Sequence, residues 1–206
     1  MGTPVRPTLF EGDRAQTLLK HGLDPGKFTL LVLGGSQGAR GINQAVLEFI
    51  HNPVELYQPV QILWQTGHAH YQEVINGCEK TAFKTAIRPF LYNMPGAYAA
   101  ADLVLSRAGA STVAEILALG KPSILVPYPH AAGNHQAANA KSLAERGAVL
   151  SLPEDQLSGE KLAEILAPLI REPAQLGRIS KAALDLGIRD AAQRVLEEIL
   201  RRGLRG

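Results

Sequence analysis

The sequence contains a single cysteine, Cys78. A lone thiol builds neither a disulfide framework nor a zinc site, and it fits a reducing compartment. Long apolar runs are missing as well: none approaches the roughly 18 to 20 residues that span a bilayer, and the N-terminus lacks the basic-then-apolar order of a signal peptide. The chain reads as soluble, with the cytosol as its default. Charge of one sign is also absent. Its 21 basic and 19 acidic residues leave a net charge of +2, spread along the sequence, so no strong field argues for nucleic acid or another polyanion. Internal repeats and low-complexity stretches are lacking too.

What is present is enough apolar sequence for one buried core: 206 residues, 46% hydrophobic and 19% charged. Short β-rich apolar runs alternate with longer segments of helical period, separated by Gly, Pro or Asn, which is the pattern of repeated βα units. Strands are expected at Phe28 to Gly34, Val60 to Gln65, Thr85 to Pro89, Leu103 to Ser106, Ser123 to Val126 and Val149 to Ser151. Most are apolar on both faces, as in parallel strands covered on both sides. Helical periodicity is clearest over Gly41 to Ile50, Thr112 to Leu119, His135 to Arg146, Leu157 to Ile170 and Ala191 to Arg202. The expected fold is α/β, a doubly wound and mostly parallel sheet of about six strands with helices on both faces. Residues 1 to 26 read as a lead-in, 27 to 206 as one domain, and 203 to 206 as a frayed tail.

In such sheets ligands bind beyond the carboxyl ends of the strands, which directs the search to the turns there. The first turn, Gly34-Gly35-Ser36-Gln37-Gly38-Ala39-Arg40-Gly41, joins a strand to a helix. Its small residues let backbone N–H groups approach a phosphate, and the helix dipole favours that charge. A tight turn needing glycine for positive φ is the plainer reading. The turn is neither a G-x-G-x-x-G fingerprint nor a Walker loop, and no acidic residue closes the second strand at Gln65-Thr66-Gly67, which weakens NAD and ATP readings.

The second turn, Ser106-Arg107-Ala108-Gly109-Ala110-Ser111-Thr112, is followed by Glu115 one turn into the helix. An ionised Glu suits a vicinal diol, since two O–H donors meet two oxygens. Thr112-x-x-Glu115 is equally a capping box, in which Glu115 only reaches back to the N-cap N–H. Arg107 is either a structural cation or one that neutralises a diphosphate. The third loop, Pro127 to Ala140, is polar and punctuated by Gly and Pro. Gln136 and Asn139 are candidate readers of sugar hydroxyls, Asn134 is an alternative helix cap, and His130 and His135 are candidates as structural or functional histidines. The turns at Thr66-Gly67-His68 and Phe90 to Met94 are less distinctive, and His68-x-His70 lacks a third metal ligand nearby. No D-x-D pair of acidic residues is present to hold a divalent cation, so a nucleotide diphosphate bound here would be balanced by backbone amides, helix N-termini and Arg107. The expected site needs no metal and no other cofactor.

Three motifs, Gly34 to Arg40, Arg107 to Glu115, and Pro127 through His135-Gln136 to Ala140, have the order and spacing of one family. Together they resemble the MurG family, the bacterial peptidoglycan N-acetylglucosaminyltransferases, with the match covering nearly the whole chain as that family's C-terminal, donor-binding domain of a two-domain GT-B enzyme. The resemblance implies inverting transfer of N-acetylglucosamine from UDP-N-acetylglucosamine to undecaprenyl-diphospho-MurNAc-pentapeptide, converting lipid I to lipid II. It implies that Gly35, Ser36, Gln37 and Gly38 contact the diphosphate, together with Arg107 and the helix start Gly109-Ala110-Ser111-Thr112. Leu91 would lie against uracil and pair with it through its backbone, with Met94 nearby. Glu115 would hold the ribose hydroxyls, and His135 and Gln136 would address the sugar. The run Ala131-Ala132-Gly133 and His135 before Gln136 depart from the family's pattern, so for the sugar contacts the resemblance points first to Gln136.

The family's N-terminal domain, which receives the lipid acceptor, would precede this segment. Gly2-Thr-Pro-Val-Arg6 resembles the interdomain junction, so the chain is expected to be an isolated donor half, inactive in transfer, with its catalytic residues in the other domain. The whole protein would attach peripherally to the cytoplasmic face of the inner membrane. Other readings are a stand-alone donor-binding subunit that borrows an acceptor partner, a nucleotide-sugar epimerase of the same architecture, and a bare structural domain.

Overall fold

The structure, a computed structural model, describes residues 2–35, 38–51, 60–79, 81–131 and 134–203. Six strands form one sheet: β1 (Phe28–Leu33), β2 (Val60–Gln65), β3 (Lys84–Arg88), β4 (Leu103–Arg107), β5 (Ser123–Val126) and β6 (Leu150–Ser151). Their order is β3-β2-β1-β4-β5-β6, and every pairing is parallel. All six expected strands are therefore present, in the doubly wound arrangement. The chain builds outward from β1 in one direction to β3, then returns to β1's other edge with β4.

All residues of β1 and β2 are buried, and their side chains alternate between two cores. Leu30, Val32, Ile62 and Trp64 enter the first, facing Ile42, Val46 and Phe49 of α2 (Arg40–His51) and Leu162 and Leu166 of α7 (Gly159–Arg171). Leu31, Leu33 and Leu63 enter the second, with Leu18 of α1 (Arg14–Lys20), Tyr98 of α4 (Met94–Ala100) and Ile116 of α5 (Ala110–Leu119). Burial on both faces explains why these strands show no period-2 alternation in sequence.

The remaining helices are α3 (Tyr71–Gly77), α6 (His135–Glu145), α8 (Pro173–Leu186) and α9 (Ala191–Gly203). Residues expected as a lead-in contain α1, which packs against α4. Leu18 and Leu9 are buried, Asp13 caps α1 by accepting the Gln16 N–H, and Arg14 pairs with Asp102 at 3.1 Å. Among the described residues no helix is long and apolar enough to cross a membrane. On α9, Leu196, Ile199 and Leu200 are exposed.

Candidate functional site

The reversal of strand order between β1 and β4 sends their following loops to opposite sides, opening a crevice at the carboxyl ends of the strands. Gln65, the last residue of β2, organises one side of it. Its backbone oxygen accepts the Gly34 N–H at 3.2 Å, its Nε2 donates to the Gly35 oxygen at 3.0 Å, and its Oε1 accepts the Leu91 N–H at 2.9 Å. A buried amide thus fixes the turns after β1 and β3 together. It is the residue that stands where a dinucleotide fold would place a carboxylate, and its role here is to hold backbone.

In the first turn Gly35 and Gly38 have φ of +77° and +84°. A Cβ on Gly38 would lie 2.4 Å from the Thr66 oxygen, so this turn needs glycine for its own geometry as well as for any approach by a ligand. Ser36 and Gln37, expected at the diphosphate, lie outside the described residues. Behind the turn, Asn43 of α2 donates to the Thr66 oxygen at 3.0 Å and accepts the Trp64 Nε1–H at 2.9 Å, fastening the start of α2 to β2. This buried link had no local sequence signal.

At the second turn α5 begins two residues earlier than its periodicity predicts. Gly109 is the N-cap, without a side-chain bond, and its oxygen accepts the Val113 N–H at 2.9 Å. The N–H groups of Ala110, Ser111 and Thr112 precede the first helical bond, and Ala110 and Ser111 are exposed. The capping box is excluded, because Thr112 lies inside the helix. Glu115 instead accepts the Tyr98 hydroxyl at 2.9 Å through Oε2, and its Oε1 has no hydrogen-bond partner among the described residues. Burial, reinforced by the Glu115 charge, pushes the Tyr98 phenol well above its ordinary range, so it remains a donor.

Arg107, considered for a diphosphate, has a protein partner. Its Nη2 and Nη1 donate to the two oxygens of Glu154 at 2.6 and 2.9 Å, Nη1 also reaches the Pro127 oxygen at 3.4 Å, and the guanidinium sits 5.3 Å from the Tyr128 ring centre. The structural reading of Arg107 therefore describes this state. Glu154, in a short 3-10 turn after β6, has no glycine-rich turn beside it to single it out; the run Pro153-Glu154-Asp155 after the sixth strand is its one sequence signal.

In the third loop the Tyr128 N–H donates to Gln136 Oε1 at 2.9 Å, leaving the Gln136 amide N–H groups without a protein acceptor among the described residues. Asn134 is the N-cap of α6, but in left-handed conformation at φ 55° and without the expected side-chain cap. His135 is exposed. His130 meets the edge of Tyr128 at 5.6 Å.

A cleft of about 1390 Å³ opens over these loops, with Gly38, Gly41, Arg107, Tyr128, Gln136 and Glu154 in its walls. Leu91, Met94, Gly109, Ala110, Ser111, Thr112, Glu115 and His135 are not in its walls. Leu91 is buried, and Met94 packs on the second core one turn before Tyr98. The expected residues thus form two groups, joined through the Gly34-Gly35 turn and Gln65. Among the described residues, no group of three or more His, Cys, Asp or Glu is placed to hold a metal ion.

The glycosyltransferase family 28 C-terminal domain matches residues 29–195. The UDP-N-acetylglucosamine--N-acetylmuramyl-(pentapeptide) pyrophosphoryl-undecaprenol N-acetylglucosamine transferase of Thermodesulfovibrio yellowstonii is 42% identical over 95% of this chain and 54% of its own length. The Bacillus subtilis protein of the same name is 39% identical over 96% of this chain and 55% of its own. The chain spans about half the length of these curated relatives. The crystal structure of Acinetobacter baumannii MurG superimposes with a TM-score of 0.80 at 27% identity, covering 96% of this chain and 55% of that one. The chain belongs to the glycosyltransferase family 28 C-terminal domains, with curated homologues that are MurG enzymes of peptidoglycan synthesis.

Proposed function

We propose that this domain binds UDP-N-acetylglucosamine as the donor half of an inverting N-acetylglucosaminyltransferase that, as a whole protein, converts lipid I to lipid II. The observation that carries the reading is the start of α5. Three N–H groups precede its first helical bond, and Glu115, one turn on, keeps one oxygen on Tyr98 and one without a protein partner. Unpaired N–H groups at a helix start suit a diphosphate, and a carboxylate with a free oxygen suits a ribose diol. Leu91 and Met94 on the neighbouring turn would flank uracil. Leu91's N–H is held by Gln65, so its carbonyl is the group left to pair with the base. Gly35, Ser36, Gln37 and Gly38 would face the diphosphate, while Gln136 and His135 would address the sugar.

With Arg107 engaged by Glu154, the diphosphate charge falls to the helix starts of α2 and α5, each worth about 0.3–1 kcal/mol and up to ~2 kcal/mol where partly buried. Donor binding in this reading requires no metal and no cofactor. The acceptor hydroxyl and the base that deprotonates it would come from the other half of the protein, which would also supply peripheral attachment to the cytoplasmic face of the membrane. The test is thermal unfolding of the chain in chelator. UDP and UDP-N-acetylglucosamine should each raise the midpoint with increasing concentration, whereas no shift without added divalent metal contradicts the metal-free site.

A further inference from the structure

Glu154 fits no part of the donor reading by itself, yet it touches two of the segments around the cleft, the end of β4 and the start of α2. Its carboxylate grips Arg107 in a two-point, charge-assisted pair, with the two side chains only 23% and 17% exposed. Its Oε1 also lies against Gly41 at the start of α2, where a Cβ would come within 2.2 Å of it. Arg107 in turn reaches the Pro127 oxygen and sits on the Tyr128 ring, and the Tyr128 N–H is held by Gln136 Oε1. The contacts form one line, Glu154 to Arg107 to Tyr128 to Gln136, running from the turn after β6 to the first residues of α6.

From this we infer that Glu154 is a positioning residue for the sugar end of the site, acting through Arg107 and Tyr128 to set the Gln136 amide. The inference rests on the donor reading above. Gln136 uses its oxygen on Tyr128, so its N–H groups are presented as donors to a ligand hydroxyl or acetamido oxygen. Which way that amide faces depends on where Tyr128 is held, and Arg107 holds Tyr128 only while Glu154 fixes the guanidinium. Glu154→Gln retains the shape but sets an NH₂ group against guanidinium N–H donors, so the two-point pair fails. Arg107→Lys keeps the charge and loses the fork.

Two measurements test this. The first needs no ligand: by NMR, amide exchange of Tyr128 should accelerate about tenfold or more in Glu154→Gln, in Arg107→Lys and in Gln136→Ala, because each loosens the acceptor of that N–H. Unchanged exchange at Tyr128 in folded Glu154→Gln overturns the inference, and Arg107→Lys carries the same test if that variant does not fold. The second compares the Kd values of UDP-N-acetylglucosamine and UDP. The wild-type preference for the sugar nucleotide should fall about tenfold in Glu154→Gln and in Gln136→Ala, and no further in the double variant. Equal losses for both ligands, additive losses, or a wild-type chain with no preference overturn it. A wild-type chain that binds neither nucleotide contradicts the donor reading, and with it the sugar role of Glu154, while the exchange result still shows whether the line of contacts exists.

Discussion

The Tyr98 hydroxyl donates to Glu115 Oε2 at 2.9 Å from a side chain only 1% exposed, joining α4 to α5 beneath the helix start where the donor is proposed to bind. This bond gives Glu115 a fixed direction. It also means that the two residues fail differently when changed. Tyr98→Phe removes the donor and leaves a half-buried carboxylate that water still reaches, at about 0.5–1.5 kcal/mol. Glu115→Ala strands a buried hydroxyl, at about 1–3 kcal/mol. Urea unfolding should therefore rank Glu115→Ala as the more destabilising, and the reverse order would show that the hydroxyl finds another partner.

Asn43 partners both the Trp64 indole N–H and the Thr66 oxygen in the interior. Asn43→Ala leaves both without a partner, and a loss of about 2 kcal/mol or more is expected. Trp64 is the one tryptophan of the sequence, so its fluorescence during urea unfolding reports the loss directly. A change under half a kilocalorie would mean that the pocket repacks.

Gly35 and Gly38 separate backbone strain from crowding. Both have positive φ, but a Cβ at Gly35 meets nothing within 4 Å, whereas one at Gly38 lies 2.4 Å from the Thr66 oxygen. Gly35→Ala should cost about 1 kcal/mol from strain alone, and Gly38→Ala clearly more. Equal midpoints in denaturant would contradict the rigid turn drawn here.

Alkaline pH should weaken the fold. Burial pushes the Cys78 thiol from 9.0 up to about 11, and burial followed by the Glu115 charge raises the Tyr98 phenol well above 10.0. For each group the unfolded chain releases its proton at lower pH than the folded one. Its contribution is intact below the unfolded value and is lost as pH rises toward the folded value. The urea midpoint should fall between pH 8.5 and 11, and iodoacetamide should label Cys78 in the native chain with a midpoint near 11, not 9.0.

The strands were legible because runs such as Leu30 to Leu33 are apolar throughout, with Gly34-Gly35 ending them. The helices left unassigned have physical reasons for their silence. Helices α3 and α4 have seven residues each, just under two turns, and α8 buries only Ile179 and Ala183, too thin a stripe to stand out. Glycine turns and Glu115 could be found by position after a strand. The contacts of Gln65, Asn43 and Glu154 could not be read from position alone, because their partners lie far along the chain and only the sheet order brings them together. Arg107 shows the same limit: its chemistry suits a phosphate, and its neighbour in space is a carboxylate 47 residues away.

The donor claim is tested most directly by calorimetric titration of UDP-N-acetylglucosamine into this chain and its Glu115→Ala variant, in chelator, with both proteins verified as folded. The account predicts saturable binding by the wild type and a loss of about tenfold or more in affinity on removing the carboxylate that would hold the ribose diol. No binding by the wild type, or the same affinity in the variant, would contradict it.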